Sequence, residues 1–388
     1  MLAPTLAVIG GGQLARMMAE PAAAMAIPLR LLAEAEGVSA AQVIPDHLVG
    51  DYRDLAMLRK VTAGCPVVTF DHEHVPTGHL YALAEDGVAV RPGPEALVHA
   101  QDKAVMREAI TRLGLPGPRY RLVASSRDVA AFGFPCVLKT TRGGYDGKGV
   151  WFVRSVEDCA EAFATAEASG VRILAEELVD FRRELSALVA RSPSGQAAAY
   201  PVVASTQKDG ICHEVIAPAP DLSPELAGEA QAIALRIAGE LDVTGVLAVE
   251  LFETNDGRVL VNELAMRPHN TGHWTQDGAV TSQFENHLRA VLDLPLGSPE
   301  PRERWTVMVN ILGGPDRPDG QGVGRLYDGY PHALARDPYL RVHLYGKDLR
   351  PGRKVGHVNA YGDDLDDCLE RARHAAAWFR GDLGNESE

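Results

Sequence analysis

Two apolar segments, Val246-Leu247-Ala248-Val249-Glu250-Leu251-Phe252 and Val259-Leu260-Val261-Asn262-Glu263-Leu264, flank the turn Asn255-Asp256-Gly257, and each carries one acid within its apolar run. Runs rich in valine and leucine around such a turn predict adjacent antiparallel strands. In that pairing Glu250 and Glu263 face the same side of a hairpin, with the amide of Asn262 beside them. A carboxylate in an apolar strand is expensive unless it is paired or bound to a metal. Two hard oxygen ligands facing one way suit Mg²⁺ bridging phosphates; a buried ion pair is the plainer alternative.

The rest of the 388-residue chain is long enough for two or three domains. Through the first hundred residues, strand-like runs (Leu6–Ile9, Leu29–Ala33, Val67–Phe70, Val88–Arg91) alternate with helix-like stretches (Gln13–Ala26, Asp54–Ala63, Thr77–Glu85). That rhythm predicts a parallel α/β sheet. Its first turn, Gly10-Gly11-Gly12-Gln13-Leu14-Ala15, fits the G-x-G-x-x-A pattern of an anion site at a helix N-terminus. A dinucleotide reading wants an acid at the end of the second strand, where Glu34 or Glu36 could serve. From Gln101 to Pro299 the pattern changes to a helix over Asp102–Leu113, the breaker Gly114-Leu115-Pro116-Gly117-Pro118, and strand pairs joined by glycine-rich loops. Beyond Pro299, short strands between Gly/Pro turns lead to an amphipathic helix over Asp364–Phe379.

Composition narrows the partners. A formal net charge of −14 repels polyanions, and no run of Lys/Arg interleaved with aromatics offsets it, which argues against nucleic acid. No stretch approaches the roughly 20 apolar residues that span a bilayer, so no membrane is expected. The apolar N-terminus runs into glycines without a basic leader and reads as a strand. Five scattered cysteines (Cys65, Cys136, Cys159, Cys212, Cys368) without metal-ligand spacing read as reduced thiols in a cytoplasmic protein.

The strand Phe134–Lys139, the loop Arg142-Gly143-Gly144-Tyr145-Asp146-Gly147-Lys148-Gly149 and the strand Val150–Val153 place a glycine-rich loop between two hairpin strands. Glycines let backbone amides approach phosphate oxygens, and Lys139 and Lys148 neutralise them. The strand Val171–Val179 ends in Glu176-Glu177-Leu178-Val179, an extended edge able to offer an N–H and a C=O to adenine, with Glu184 near for ribose hydroxyls. Beside the acid hairpin, Arg267-Pro268-His269-Asn270-Thr271-Gly272-His273-Trp274-Thr275 gathers donors suited to a small oxyanion. Tyr345-Gly346-Lys347-Asp348-Leu349-Arg350-Pro351-Gly352-Arg353-Lys354-Val355-Gly356-His357 is a basic turn in an acidic chain and reads as a phosphate clamp.

Together, R-G-G-Y-D-G-K-G at Arg142–Gly149, the N-E-L at Asn262–Leu264, R-P-H-N-T-G-H-W-T and K-D-L-R-P-G-R-K-V-G-H resemble the 5-(carboxyamino)imidazole ribonucleotide synthetases, an ATP-grasp family, from Gly10 to about Asn359. The last two motifs separate that family from biotin carboxylases and D-alanine ligases. The resemblance implies an ATP-grasp fold, mixed α/β and α+β: an N-terminal Rossmann-like substrate domain (1–100), an ATP-grasp domain (101–300) with a glycine-rich lid over about 119–182, and a small C-terminal domain (301–388). It implies ATP, with Lys103 and Lys139 on the phosphates, Gly144, Tyr145, Asp146, Gly147, Lys148, Gly149 and Val150 closing over them, Glu176, Glu177, Leu178 and Val179 on adenine, Glu184 on ribose, and Gln207 at the nucleotide's edge. Glu250 and Glu263 would hold Mg²⁺, two ions in all, with Asn262 beside them. For aminoimidazole ribonucleotide the implied contacts are Gln13, Leu14, Glu73, Tyr145 and Asp146, with Lys347 and Arg353 on its phosphate. Arg267, His269 and Asn270 would bind bicarbonate and its phosphorylated form.

Two positions depart from the family pattern: His99 stands in place of an arginine and Gln207 in place of a histidine. The expectation is thus a homodimeric ligase of purine biosynthesis that carboxylates aminoimidazole ribonucleotide by way of carboxyphosphate. Formate-dependent glycinamide ribonucleotide transformylase is the nearest alternative, and a non-catalytic nucleotide-binding regulator is the alternative from another class.

Overall fold

Strand β1 (Leu6–Ile9) starts a Val/Leu/Ile-rich run with no polar face, as expected of a strand covered on both sides. It is followed by α1 (Gln13–Ala24), β2 (Leu29–Ala33), β3 (His47–Val49), α2 (Leu55–Thr62), β4 (Val67–Phe70), α3 (Thr77–Glu85) and β5 (Ala89–Val90). The five strands form one parallel sheet in the order β3-β2-β1-β4-β5. The computed structural model describes residues 3–144, 148–208, 210–314 and 326–382, so Tyr145, Asp146 and Gly147 lie outside the described residues.

Helices α4 (Pro94–Gln101) and α5 (Lys103–Arg112) connect this sheet to the next unit. Asp102 caps α5 by accepting from the amides of Ala104 and Val105, and its other oxygen takes Arg142 Nε at 2.9 Å, which ties the helix start to the glycine loop. Then come β6 (Tyr120–Val123), α6 (Ser126–Phe132), β7 (Cys136–Thr140), β8 (Val150–Val153), α7 (Ala160–Ser169) and β9 (Ile173–Glu177). Their four strands form an antiparallel sheet in the order β6-β9-β7-β8, so the glycine loop does join two paired strands.

The third sheet contains β10 (Phe181–Arg191), β11 (Ala197–Ala199), β12 (Val203–Lys208), β13 (Ile211–Ala217), then, after α8 (Pro224–Glu240), β14 (Gly245–Thr254) and β15 (Val259–Ala265). Helices α9 (Thr275–Gly278) and α10 (Gln283–Val291) precede β16 (Trp305–Leu312), α11 (Tyr330–Arg336), β17 (Arg341–Leu344), β18 (Lys354–Gly362) and α12 (Leu365–Arg380). The compositional shift after Pro299 does not end the sheet. β16 pairs with β13, giving one antiparallel path β15-β14-β10-β12-β13-β16-β18-β17 with β11 on β10.

Helix α10 seals the parallel sheet to this larger one: Phe284, Leu288 and Val291 share an apolar cluster with Leu6, Val8, Leu14 and Leu31. On the same helix His287 is fully buried, accepts from the Val246 amide through Nδ1 at 3.1 Å and meets the Thr69 hydroxyl through Nε2 at 2.8 Å. The ring fits because residue 245 is glycine, whose added Cβ would stand 2.8 Å from His287 Cε1 and whose φ is +108°. Burial lowers the pKa of His287 from 6.5 to about 3, so the native ring is neutral while the unfolded chain takes up a proton below 6.5.

Stability supplied by His287 is therefore complete above pH 6.5 and is lost as pH falls towards 3, at up to about 1.4 kcal/mol per pH unit. We expect His287→Leu to lose about 1–3 kcal/mol at pH 7, because the Val246 N–H is left without an acceptor, and to show a shallower acid dependence. Denaturant unfolding between pH 4 and 7 checks both; an unchanged midpoint and slope would contradict them.

Candidate active site

A cavity of about 950 Å³ opens where the residues following β1 and β4 meet the lid strands and the β10–β14–β15 face. A parallel sheet places its ligand crevice beyond the carboxyl ends of its strands, and Gln13, Leu14 and Glu73 line this one. Lys103, Lys139, Gly144, Lys148 and Val150 line it from α5 and the lid hairpin, and Glu176, Glu177, Leu178 and Val179 from β9 and its exit. Glu184, Gln207, Glu250, Asn262 and Glu263 line its sheet wall, and Arg267, His269 and Asn270 its inner end. Gly149 is outside the lining, and a Cβ there would come 2.5 Å from Thr140 Oγ1.

Strand register makes the acid pair: Glu250 stands directly opposite Glu263, next to a bulge that absorbs Asn262. Glu263 hydrogen-bonds Lys103 Nζ. Glu176 is a buried hub, 2.5 Å from Arg107 Nε and 2.7 Å from Lys139 Nζ. Burial alone would raise its carboxyl, but Arg107 and Lys139 hold it down to about 2. Arg107 also donates to the carbonyls of Val261 (2.6 Å) and Asn262 (2.8 Å), so it orients both the lid edge and the acid strand. Sequence reasoning missed Arg107; the available signal was an arginine on the buried side of α5, flanked by Met106, Ala109 and Ile110.

Two acids of the sheet wall are not balanced. Glu250 has the neutral imidazole of His269 at 3.3 Å, and Glu184 has no cation within hydrogen-bond reach among the described residues. Burial, then Glu263 and Glu184, raise the Glu250 carboxyl to about 8, and burial raises Glu184 to about 7. A divalent cation meets this donor set: two facing carboxylates in a buried cavity left short of positive charge fit Mg²⁺.

Glu73 accepts from Arg267 Nε at 2.7 Å and from the Met266 amide at 3.1 Å, locking the arginine at the inner end. His269 is held neutral, its pKa lowered to about 3 by burial and then by Arg267 and Lys354. Both amide atoms of Asn270 are buried and have no hydrogen-bond partner among the described residues beyond a weak approach to the Cys212 thiol.

The first glycine turn serves the chain itself. Glu34 accepts from the Gly11 amide at 3.0 Å and Asp71 from the Ala15 amide at 2.8 Å, while a Cβ on Gly12 would stand 2.1 Å from Asp71 Oδ2. Carboxylates occupy the place a pyrophosphate would need, which sets the dinucleotide reading aside. The basic turn docks on the same region: Lys347 Nζ hydrogen-bonds Gln13 Oε1, Ser39 Oγ donates to the Tyr345 carbonyl at 2.6 Å, and Gln42 Nε2 donates to the Gly346 carbonyl at 2.7 Å. Lys347 thus reaches a cavity residue without lining the cavity, and Arg353 is turned to the Asp348 carbonyl at 3.3 Å. Lys354, one residue on, does line it and was not singled out from the sequence.

Comparison with known proteins decides the family. Residues 3–101 match the ribonucleotide synthetase preATP-grasp domain, residues 108–284 the ATP-grasp domain, and residues 306–371 the phosphoribosylaminoimidazole carboxylase C-terminal domain. The N5-carboxyaminoimidazole ribonucleotide synthase of Mycobacterium tuberculosis strain H37Rv is 54% identical over 382 residues, covering 97% of this chain and 88% of the relative. The chain belongs to the N5-carboxyaminoimidazole ribonucleotide synthase family. It is an ATP-grasp ligase. A crystal structure of an N5-carboxyaminoimidazole ribonucleotide synthetase as its ADP complex is similar at a TM-score of 0.88 with 37% identity, covering 99% of both chains. The Aspergillus clavatus N5-carboxyaminoimidazole synthase in complex with ADP and 5-aminoimidazole ribonucleotide is similar at 0.87 with 30% identity, covering 97% of this chain and 99% of that one.

Within this family geometry, removing Arg107 leaves Glu176 half-paired and the carbonyls of Val261 and Asn262 without donors. Arg107→Met is expected to cost about 3–5 kcal/mol of stability, the usual result of breaking a buried pair from one side. Denaturant unfolding measures it; a loss below about 1 kcal/mol would show that Glu176 is satisfied by Lys139 alone.

Proposed function

We propose that the chain carboxylates 5-aminoimidazole ribonucleotide with bicarbonate at the expense of ATP, giving N5-carboxyaminoimidazole ribonucleotide, ADP and phosphate in de novo purine biosynthesis. The observation that carries the reading is the docking of the basic turn on the first glycine turn through Lys347 and Gln13, at the rim of the cavity that contains Glu250 and Glu263. Sites for a nucleoside triphosphate and for a second phosphorylated substrate then share one chamber.

In this reading Lys103, Lys139 and Lys148 neutralise the triphosphate, the loop from Gly144 to Val150 closes over it, the chain at Glu176–Val179 meets adenine, Glu184 meets the ribose, and Gln207 and Asn262 border the nucleotide. Glu250 and Glu263 would hold Mg²⁺, which when bound supplies the positive charge that offsets the phosphate oxygens. Arg267, fixed by Glu73, supplies positive charge to bicarbonate, and neutral His269 and the Asn270 amide supply hydrogen bonds. A bicarbonate oxygen attacks the γ-phosphorus and ADP leaves, forming carboxyphosphate. The exocyclic amine of the ribonucleotide then takes the carboxyl carbon, directly or as released CO₂; the C–O bond to phosphate breaks and the amine loses a proton. Closing the cavity excludes the water that would hydrolyse carboxyphosphate. Gln13, Leu14, Glu73, Tyr145 and Asp146 position the ribonucleotide, and its phosphate is assigned to Lys347 and Arg353 together with Lys354, the one of the three that lines the cavity.

The same reading divides the chain near residues 100 and 300, with a lid over about 119–182, and carries a homodimer. A cytoplasmic setting is supported by five free, buried thiols. Among the described residues no helix is long and apolar enough to cross a membrane.

The test is ADP release assayed with each substrate omitted in turn, with ¹³C-bicarbonate and ¹³C-formate compared for label in the product. Dependence on aminoimidazole ribonucleotide with label from bicarbonate is expected; label from formate would make the chain a transformylase, and ADP release indifferent to both would end the proposal. Glu263→Gln is expected to keep the fold and to lower kcat by roughly 100-fold or more, since a lost ligand at the transferring phosphate is worth several kcal/mol; near-normal kcat at saturating Mg²⁺ would refute the assignment. Lys347→Ala should raise KM for the ribonucleotide by roughly 10–100-fold, one charge-assisted bond remote from the reacting amine, and leave KM for ATP unchanged. The reverse pattern would assign the basic turn to ATP.

A further inference from the structure

Gln283, the first residue of α10, is fully buried, and its side chain grips one loop at three points. The His269 amide donates to Gln283 Oε1 at 2.8 Å; Gln283 Nε2 donates to the His269 carbonyl at 2.8 Å and to His273 Nδ1 at 3.0 Å. A backbone N–H can only donate and a carbonyl can only accept, so these two contacts fix which end of the amide is nitrogen. His273 Nδ1 must therefore accept, which leaves its proton on Nε2.

That Nε2 is buried and has no hydrogen-bond partner among the described residues. His273 borders the cavity, and Nε2 is its one ring nitrogen without a partner among the described residues. The ring is also held neutral: burial first, then His269, Lys354, His343 and Arg267, keep its pKa well below the ordinary histidine value. It is clamped between the rings of His357 at 4.9 Å and Phe284 at 5.7 Å. The approach of Gln283 explains Gly272, since a Cβ there would stand 2.4 Å from Gln283 Oε1. Next to it, the unpartnered amide of Asn270 is a second buried polar group on the same cavity wall. A desolvated donor without a partner is costly unless a ligand completes it.

We infer that Gln283 is a positioning residue of the carboxylation chamber, holding the His269 backbone and fixing His273 as a neutral Nε2–H donor that, with the Asn270 amide, receives an oxygen of a small oxyanion: bicarbonate or the carboxyl group formed from it. This rests on the reading given under Proposed function. Neutral donors suit the task because Arg267 already supplies the charge, and a second buried cation would cost more desolvation than a dipole does.

Two measurements on the full chain test it. The first is ¹⁵N NMR of histidine-labelled protein, with the His273 signals assigned by their loss in His273→Gln. One tautomer protonated at Nε2 is expected in the native chain, and loss of that single tautomer in Gln283→Met. A native ring protonated at Nδ1 would overturn the lock whatever the chain catalyses.

The second is a pair of substitutions that mimic one ring nitrogen each, assayed for KM of bicarbonate and of ATP. Glutamine places its amide near the Nε2 position and asparagine near Nδ1. His273→Asn should raise KM for bicarbonate by roughly tenfold more than His273→Gln does, the worth of one hydrogen bond, with KM for ATP unmoved by either. Equal effects, or the opposite order, would reduce His273 to a packing residue. A native chain without bicarbonate-dependent ADP release would defeat the functional reading, leaving the NMR arm to decide the lock on its own.

Discussion

Two carboxylates facing each other across β14 and β15 inside a sheet set the terms for the rest of the cavity. Burying one charge is tolerable when a cation stands beside it, and most acids in this chamber have one: Glu176 has Arg107 and Lys139, Glu263 has Lys103, and Glu73 has Arg267. Among the described residues Glu250 and Glu184 do not, and their carboxyls are pushed up accordingly. Such a pair gives the cavity a donor set that a divalent cation would fit. The net charge of −14 makes the point sharper, because a triphosphate entering so acidic a chain has to be met by local lysines.

Long-range contacts then bring residues from both ends of the chain to that place. Gln13 and Lys347 lie at opposite ends of the chain and meet because the turn after β17 is pinned to the first sheet by Ser39 and Gln42. Helix α10 holds the sheets together through Phe284, Leu288 and Val291, through His287 between Thr69 and Val246, and through the Val291 carbonyl, which takes Arg91 Nη1 at 2.6 Å. Gln283 begins the same helix, so the element that seals the two sheets also sets the loop from His269 to His273.

Much of this was legible in the sequence where periodicity is strong. The alternation through β1, β2 and β4, the hairpin around the glycine loop and the acid-bearing strands were all expected, because valine-rich runs bounded by glycine carry their own signal. Helix α8 was passed over within a region taken as strands and loops, although Ser223 caps it, Pro224 opens it and Ile233 and Ile237 mark its buried face. Short β3 and α4, and α11 in a stretch taken as strands and turns, have too little pattern to stand out. The glycine turn was legible as a close approach, but not that the approaching groups are Glu34 and Asp71. Arg107 and Lys354 escaped because their roles come from partners up to 155 residues away or from a cavity wall that no local spacing encodes, and Gln283 because its grip on His269 and His273 reaches back across the separate short helix α9.

The most direct test is to crystallise the chain with Mn²⁺ and a non-hydrolysable ATP analogue and to collect data at the manganese absorption edge. An anomalous peak bridging the carboxylates of Glu250 and Glu263 and the bound phosphates is the expected result. A metal held by the phosphates alone, with Glu250 still against His269, would contradict the claim that this acid pair is what the cavity is built around.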